Sequence, residues 1–408
     1  MKVNNKLIYL LSFVLLFSIG CEDETADDPV AYDPTGEYVF PSDIVDGESS
    51  VSYTGQVVRN MLHSDLKTLT DLAMSPGHPY ITYDLMNMYF DHQDEANMQE
   101  SYVSADACEK VYTNIATGKN LSGKTNSDNL KGWTINASTA VQAWMQAIAD
   151  NYAAGVTSGA ATVTSPDGLN YSQMINKVLY GAVAYDQAFG YLSNYDETMP
   201  DNEAAYSDGK SYTAAEHKWD EAFGYFGARR DFLNEGDVGA CVDLTSEHNF
   251  GWASYATKRD NDTENIAYRN SVMFKADIFN AFVDGRAIIH NDGTVGDLEP
   301  HVSMIRNRWE QLCAANVIHY IHSVKTDMAA LSSSATASST ESADYNKHWS
   351  EMRGFIVSLQ YNLTNLSEAD LDAIVTLVGI APVYPGDAGY SDYEGSLDQV
   401  KTTLSTLF

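Results

Sequence analysis

Positive charge is what this chain has least of. Its 408 residues carry 24 lysines and arginines against 56 aspartates and glutamates, a formal net charge of −32. Phosphate backbones are bound by clustered lysine and arginine, so the composition argues against a nucleic-acid partner. The excess of carboxylates suits cations as partners and equally suits solubility in a salty habitat, and charge alone does not separate the two. Cysteine is scarce too, with four in all and no Cys-x-x-Cys pair, which argues against a zinc–thiolate site. If Cys21 is spent on lipid, then Cys108, Cys241 and Cys313 are an odd number, and one thiol stays free. There is no His-Glu-x-x-His pair, no Gly-rich phosphate loop and no Ser/His/Asp order, so no residue is assigned a catalytic role. Period-two alternation is almost missing, which leaves little room for strands. Apolar residues make up 44%, ample for a core.

The N-terminus differs in kind from the rest. Lys2 and Lys6 precede an apolar stretch, residues 7–19, that is shorter than the ~20 residues needed to span a bilayer. Ser18-Ile19-Gly20-Cys21 follows, and a small residue before Cys at such a point resembles a bacterial lipoprotein cleavage site, although Ser18 stands where Leu is usual. The expectation is a signal peptide over residues 1–20, lipid on Cys21 and anchoring to the outer membrane by several acyl chains, on its periplasmic or surface-exposed side. Glu22-Asp23-Glu24, with Asp27 and Asp28, opens an acidic tether expected to be disordered over residues 21–50. It reads either as a solvated spacer or as a surface-export tag.

From residue 50 onward the apolar period is helical. Val57, Val58, Met61, Leu62, Leu66, Leu69 and Leu72 form one stripe, and residues 137–152, 171–192, 265–290 and 302–331 read as further long helices. Ser367 opens a short helix that Gly379 closes, and the Ser/Ala/Thr run 332–339 is a loop.

The stretch most charged with chemistry is His217-Lys218-Trp219-Asp220-Glu221-Ala222-Phe223-Gly224-Tyr225, on a helix read over residues 213–233. It returns in altered form as Lys347-His348-Trp349-Ser350-Glu351-Met352-Arg353-Gly354-Phe355, on a helix over 342–361. A recurring pattern points to internal duplication. The fold expected is therefore all-α, with two pseudo-symmetric helical bundles, residues 51–250 and 251–408, meeting at a seam; one larger helical domain is the alternative. At 100° per residue, His217, Glu221 and Gly224 share one helix face, with Asp220 at its edge, while Trp219, Phe223 and Phe226 fall opposite and should pack inward. The small residues leave room for another helix or a ligand. Imidazole and carboxylate at i,i+4 can reach one ion, iron or another divalent metal, or can simply fix helix packing as a hydrogen-bonded pair. Glu and Gly keep register between the copies, whereas His348 sits one residue nearer its Trp than His217 does. Arg286, Arg306, Arg308 and Arg353 are the candidate partners for carboxylates. His319 and His322 read first as packed helix histidines, and the 26 tyrosines as core and seam residues.

With these motifs in view, the chain resembles a lipoprotein family of the domain-of-unknown-function 4856 type, through Lys218 to Tyr225 and, more weakly, His348 to Phe355. More distantly it is similar to imelysin-like proteins, duplicated helical bundles with a Gly-x-His-x-x-Glu motif. Ala215 and Asn346 stand where that motif has Gly, and the fourth residue after His217 is the Glu. The resemblance implies a role in iron acquisition. The expectation is a membrane-anchored binding lipoprotein serving iron or other metal uptake, with a metal held at the seam by His217, Asp220, Glu221, His348 and Glu351. The alternative is a metal-independent surface protein that partners an outer-membrane transporter or binds glycan; an imelysin-type peptidase ranks last.

Overall fold

Eleven helices, with a few short 3-10 turns, account for the regular structure of the described residues, which in this computed structural model are 32, 36–75, 81–91, 117–155, 159–234, 249–262 and 272–408. In chain order they are α1 (Thr54–Leu72), α2 (Tyr83–Asp91), α3 (Ala137–Ala153), α4, α5 (Ala214–Phe226), α6 (Gly251–Asp260), α7 (Phe274–His290), α8 (Val295–Ala330), α9 (Ala343–Leu359), α10 (Glu368–Val378) and α11 (Tyr390–Ser405). Helix α4 is α-helical over Tyr171–Leu179, π-helical over Tyr180–Tyr185 and α-helical again over Asp186–Leu192. Isolated bridges are the only strand-type pairing among the described residues. The all-α reading therefore holds.

Local chemistry sets the helix ends. Asn136, Asn170 and Ser367 cap α3, α4 and α10 through side-chain oxygens, and Thr213 with Glu216 and Thr294 with Asp297 form capping boxes on α5 and α8. Gly227, at φ +83°, stops α5 after Phe226, so the motif helix is shorter than the expected span to residue 233. The α8 box starts that helix before Pro300, so it begins earlier than the expected residue 302.

The described residues from 36 onward form one compact unit. Within it, helices of the two expected halves pack pairwise: α4 lies on α9, and α5 on α7, while the long α8 runs between α7 and α9. Trp219, Trp252, Trp309 and Trp349 are fully buried. A ladder of ring contacts links the two motif helices, from Phe226 of α5 through Trp309 and Trp252 to Phe355 of α9, at 5.1, 6.0 and 5.7 Å. Trp219, Phe223 and Phe226 thus face the core, as the helical wheel required.

The expected tether ends sooner than residue 50. Tyr38, Phe40 and Ser50 are fully buried, and a bridge pairs Pro41 with Ser49. Tyr38 stacks on Phe223 at 3.8 Å, and Phe40 lies under the Arg286 guanidinium at 4.8 Å. Two aromatic side chains bury enough apolar surface to hold the segment down although Glu37, Asp43, Asp46 and Glu48 keep it acidic.

Both motif glycines mark a close approach. A Cβ on Gly224 would lie 2.8 Å from the Cβ atoms of Tyr53 and Gln56, and one on Gly354 would lie 2.4 Å from the Cβ of Lys177. We expect Gly354→Ala to lose about 1–3 kcal/mol in urea unfolding, the cost of overpacking. Gly395→Ala, in the exposed interior of α11 with nothing within 4 Å of the new Cβ, should gain about 0.5–1 kcal/mol. Equal effects at the two sites would show that Gly354 is not a packing constraint.

Candidate functional site

The two motif copies are built alike at their core. In α5, the stem of Gln56 crosses Gly224, and its amide nitrogen donates to Glu221 at 2.8 Å. In α9, the stem of Lys177 crosses Gly354, and its ammonium pairs with Glu351 at 3.2 Å. The x-Glu-x-x-Gly pattern thus has a physical meaning. The glycine opens a groove for a side chain from a neighbouring helix, and the glutamate one turn back receives its head group.

The five residues expected around one metal are not gathered. His217 Nδ1 bonds the Ser52 carbonyl at 3.0 Å, and its Nε2 is 3.9 Å from Glu221. Asp220 is sealed in the core, where it accepts from Tyr38 Oη at 2.7 Å, Ser52 N at 2.7 Å and Arg286 Nε at 3.0 Å. It fastens the N-terminal segment and has no free face for an ion. His348 Nδ1 bonds Asp327 at 2.7 Å, which raises its pKa despite partial burial. Glu351 also accepts from Tyr320 Oη at 3.0 Å. Glu221 is tied to the start of α1 at Gln56, whereas the cavity holding Glu351 meets α1 from Ser64 onward. Gln56 and Ser64 are eight positions apart on α1, about 12 Å along the axis. Among the described residues, no three His, Cys, Asp or Glu side chains come together in a metal-holding group. The Trp–Glu register misled because each carboxylate already has a partner supplied by another helix.

The arginines sort as follows. Arg286 pairs with Asp220 and, at 2.9 Å, with Glu216; Arg306 pairs with Asp196 and Arg308 with Asp277. Arg353 instead donates to the carbonyls of Gly379 and Lys131 and stacks over Trp133 at 4.3 Å. His319 bonds Asp262, and His322 bonds Lys401, so the two do not share a ligand. Cys313 is buried and free; Cys21, Cys108 and Cys241 lie outside the described residues.

Two cavities stand out. The larger, about 770 Å³, has an acidic wall of Asp43, Asp201, Glu203, Glu216 and Asp292. Its Glu216 is already engaged by Arg286, His290 and the Thr213 cap, which together hold it near pKa 2 against the opposing effect of burial. The second, about 450 Å³, lies between α1, α4, α6, α8 and α9 and has the opposite character. Lys67, Lys177, Lys258 and Lys347 line it, against two carboxylates, Asp71 and Glu351. Four of the chain's fifteen lysines therefore share one cavity in a strongly acidic protein. Tyr180, Tyr255 and Tyr320 complete its wall, and Tyr180 opens the π-helical segment, a device frequent at functional sites.

Electrostatics order this cavity. Lys177 is 2% exposed. Burial alone would discharge it, but Tyr255 and Glu351 overcome burial and raise its pKa. Glu351 is held below its usual range, because Lys177, Lys347 and Tyr320 outweigh burial. Burial dominates at Lys67 and lowers it, with Asp71 opposing. Burial raises Tyr180 and Tyr320. Sequence reasoning found Glu351 and missed the lysines, which are scattered over four helices and show no spacing.

Beneath the cavity, His63 bonds the Asn176 carbonyl at 3.0 Å and lies 4.5 Å from the Tyr180 ring. Burial pushes its pKa from 6.5 to about 3. An imidazole depressed on folding contributes stability that is present above the unfolded value and is lost as pH falls from 6.5 toward 3. About 2 kcal/mol should go between pH 7 and pH 5, before most carboxylates titrate. Unfolding midpoints should fall over that range in the native protein and flatten in His63→Gln; parallel curves would contradict a neutral buried His63.

Residues 36–407 match the family model described as Domain of unknown function (DUF4856). The chain belongs to this family. No curated protein and no solved structure matches the chain. Both motif copies and the lysine-lined cavity fall inside the span that defines the family.

Proposed function

We propose that this DUF4856 protein is a binding protein of the cell envelope that captures a small anionic solute in the lysine- and tyrosine-lined cavity beside Glu351. One observation carries the reading: four lysines converge on a single cavity in a chain of net charge −32. Asp71 and Glu351 offset Lys67 and Lys177, and the remaining excess of positive charge, on Lys258 and Lys347, costs free energy unless an opposite charge arrives to offset it. A bare cation would meet that repulsion. The metal uptake expected from the sequence enters this reading as uptake of an anionic chelate, not of a free ion. Lipid at Cys21 would hold the body at the outer membrane, within reach of a transporter that takes the cargo on. The duplication of the x-Glu-x-x-Gly groove belongs to the same reading: one copy, at Glu221, is closed by a neutral Gln56, and the other, at Glu351, is opened to charge by Lys177.

The test is a thermal-shift comparison on the mature protein with three panels: small organic anions, neutral sugars, and ferric or zinc salts without chelator. The reading expects Tm to rise with members of the anion panel alone, by the mass-action stabilisation of a ligand that binds only the folded state. Stabilisation by the bare metal salts and by no anion would overturn it.

A further inference from the structure

Two side chains of α4 meet this cavity with donors that no described residue accepts. Asn176, 6% exposed, is part of the wall. His63 Nε2 bonds its backbone oxygen at 3.0 Å and bonds its side chain as well. A ring N–H needs an acceptor, so the side-chain oxygen of Asn176 is turned to His63 and its N–H2 group is the end left over. That nitrogen has no hydrogen-bond partner among the described residues and is not sealed from solvent; the space it opens on is the cavity. Gln173, 7% exposed, stands three residues earlier on the same face of α4. Its oxygen is sealed in the packing, so its N–H2, equally without a partner, is the end that meets the cavity. Buried donors are nearly always paired, and two idle ones in one wall call for an acceptor from what fills it.

Charge adds an independent requirement. Asp71 and Glu351 answer Lys67 and Lys177, which leaves Lys258 and Lys347. Both are exposed at the rim and form no ion pair among the described residues; Lys258 rests on the Tyr255 ring at 4.9 Å. The cavity therefore has two seats: a pair of neutral, buried donors on α4, and a pair of cations on α6 and α9. All four groups donate and none accepts, which suits a molecule that carries acceptors at both ends.

We infer that the cargo is a small di- or tricarboxylate, with one carboxylate received by the Asn176 and Gln173 amides and another by Lys258 and Lys347. The inference rests on the anion-binding reading above and deepens it. Two amides one helical turn apart match the two oxygens of one carboxylate, and the two unanswered lysines match a molecule with at least two negative charges. A monocarboxylate fills only one of the seats.

Calorimetric titration of the mature protein with succinate, citrate, acetate and sulfate tests the assignment. Succinate or citrate should bind, and acetate and sulfate should each bind at least tenfold more weakly than the tighter of the two. Gln173→Leu and Asn176→Leu remove the idle donors at similar volume. Gln173→Leu breaks no side-chain hydrogen bond, and in Asn176→Leu His63 keeps the backbone oxygen. Each should leave the unfolding midpoint little changed and weaken the polycarboxylate at least tenfold. Lys347→Gln should weaken it as well and reduce the dependence of its affinity on salt. A polycarboxylate bound as tightly by both amide variants as by the parent would overturn the α4 seat yet leave the broader reading standing. Acetate or sulfate bound as tightly as the polycarboxylates would overturn the two-ended cargo in the same way. No binding by any anion would remove both.

Discussion

Arg286→Met is expected to destabilise the protein by about 3–5 kcal/mol in urea unfolding at neutral pH, the cost of removing one partner from a buried charge cluster. Arg286 is fully buried between Asp220 and Glu216, also bonds Ser50 Oγ at 2.7 Å, and lies over Phe40. Without it two carboxylates stay in the core facing each other, and the N-terminal segment loses the clamp that holds residues 38–52. The loss should shrink on acidification. Burial already raises the Asp220 pKa, with Arg286 opposing, and removing Arg286 raises it further. A carboxyl whose folded pKa lies above its unfolded value favours the folded state as pH falls, so the variant should lose less at pH 5 than at pH 7.5. Arg286→Met with Asp220→Asn should recover part of the loss at neutral pH. A single variant as stable as the parent at pH 7.5 would mean that Arg286 does not organise this part of the core.

Glu351→Leu is expected to be comparably costly, about 3–5 kcal/mol, for the mirror-image reason: it leaves the Lys177 ammonium buried beside Tyr180, Tyr255 and Phe355 with no carboxylate. The double variant Lys177→Met with Glu351→Leu removes both charges together. It should regain most of the stability, because well-packed apolar replacements of a buried pair are often neutral. The double variant also separates architecture from function. If the pair only fixes α4 on α9, anion binding in the cavity survives; if Lys177 contributes its charge to the cargo, affinity falls although the fold is restored. The account expects a fall of a few-fold and no more, because Lys177 is already engaged.

Most of the architecture could be read from the chain because it depends on local rules. Apolar stripes at three- and four-residue steps gave α1, α3, α4, α8 and α9. The Ser367 cap and Gly379 bounded α10. The inward face of α5 followed from the placement of Trp219, Phe223 and Phe226. What did not follow was set by contacts distant in sequence. Tyr38 and Phe40 look like part of an acidic tail until Phe223 and Arg286 are there to receive them. Asp220 has the composition of a ligand, yet Arg286, 66 residues away, had already claimed it. The repeated Glu and Gly were visible as a pattern, but their common purpose depends on Gln56 and Lys177, which carry no mark in their own neighbourhoods. The basic cavity was hidden for the same reason. Its lysines come from α1, α4, α6 and α9, and overall composition pointed to the opposite charge.

The most direct test of the anion-binding cavity is an anomalous difference map from crystals of the mature protein soaked in sodium selenate, a tetrahedral oxyanion with a heavy centre. The account predicts a selenium peak inside the lysine-lined cavity, near Lys258 and Lys347. A map with no peak there, together with ordered selenate elsewhere on the protein, would contradict it.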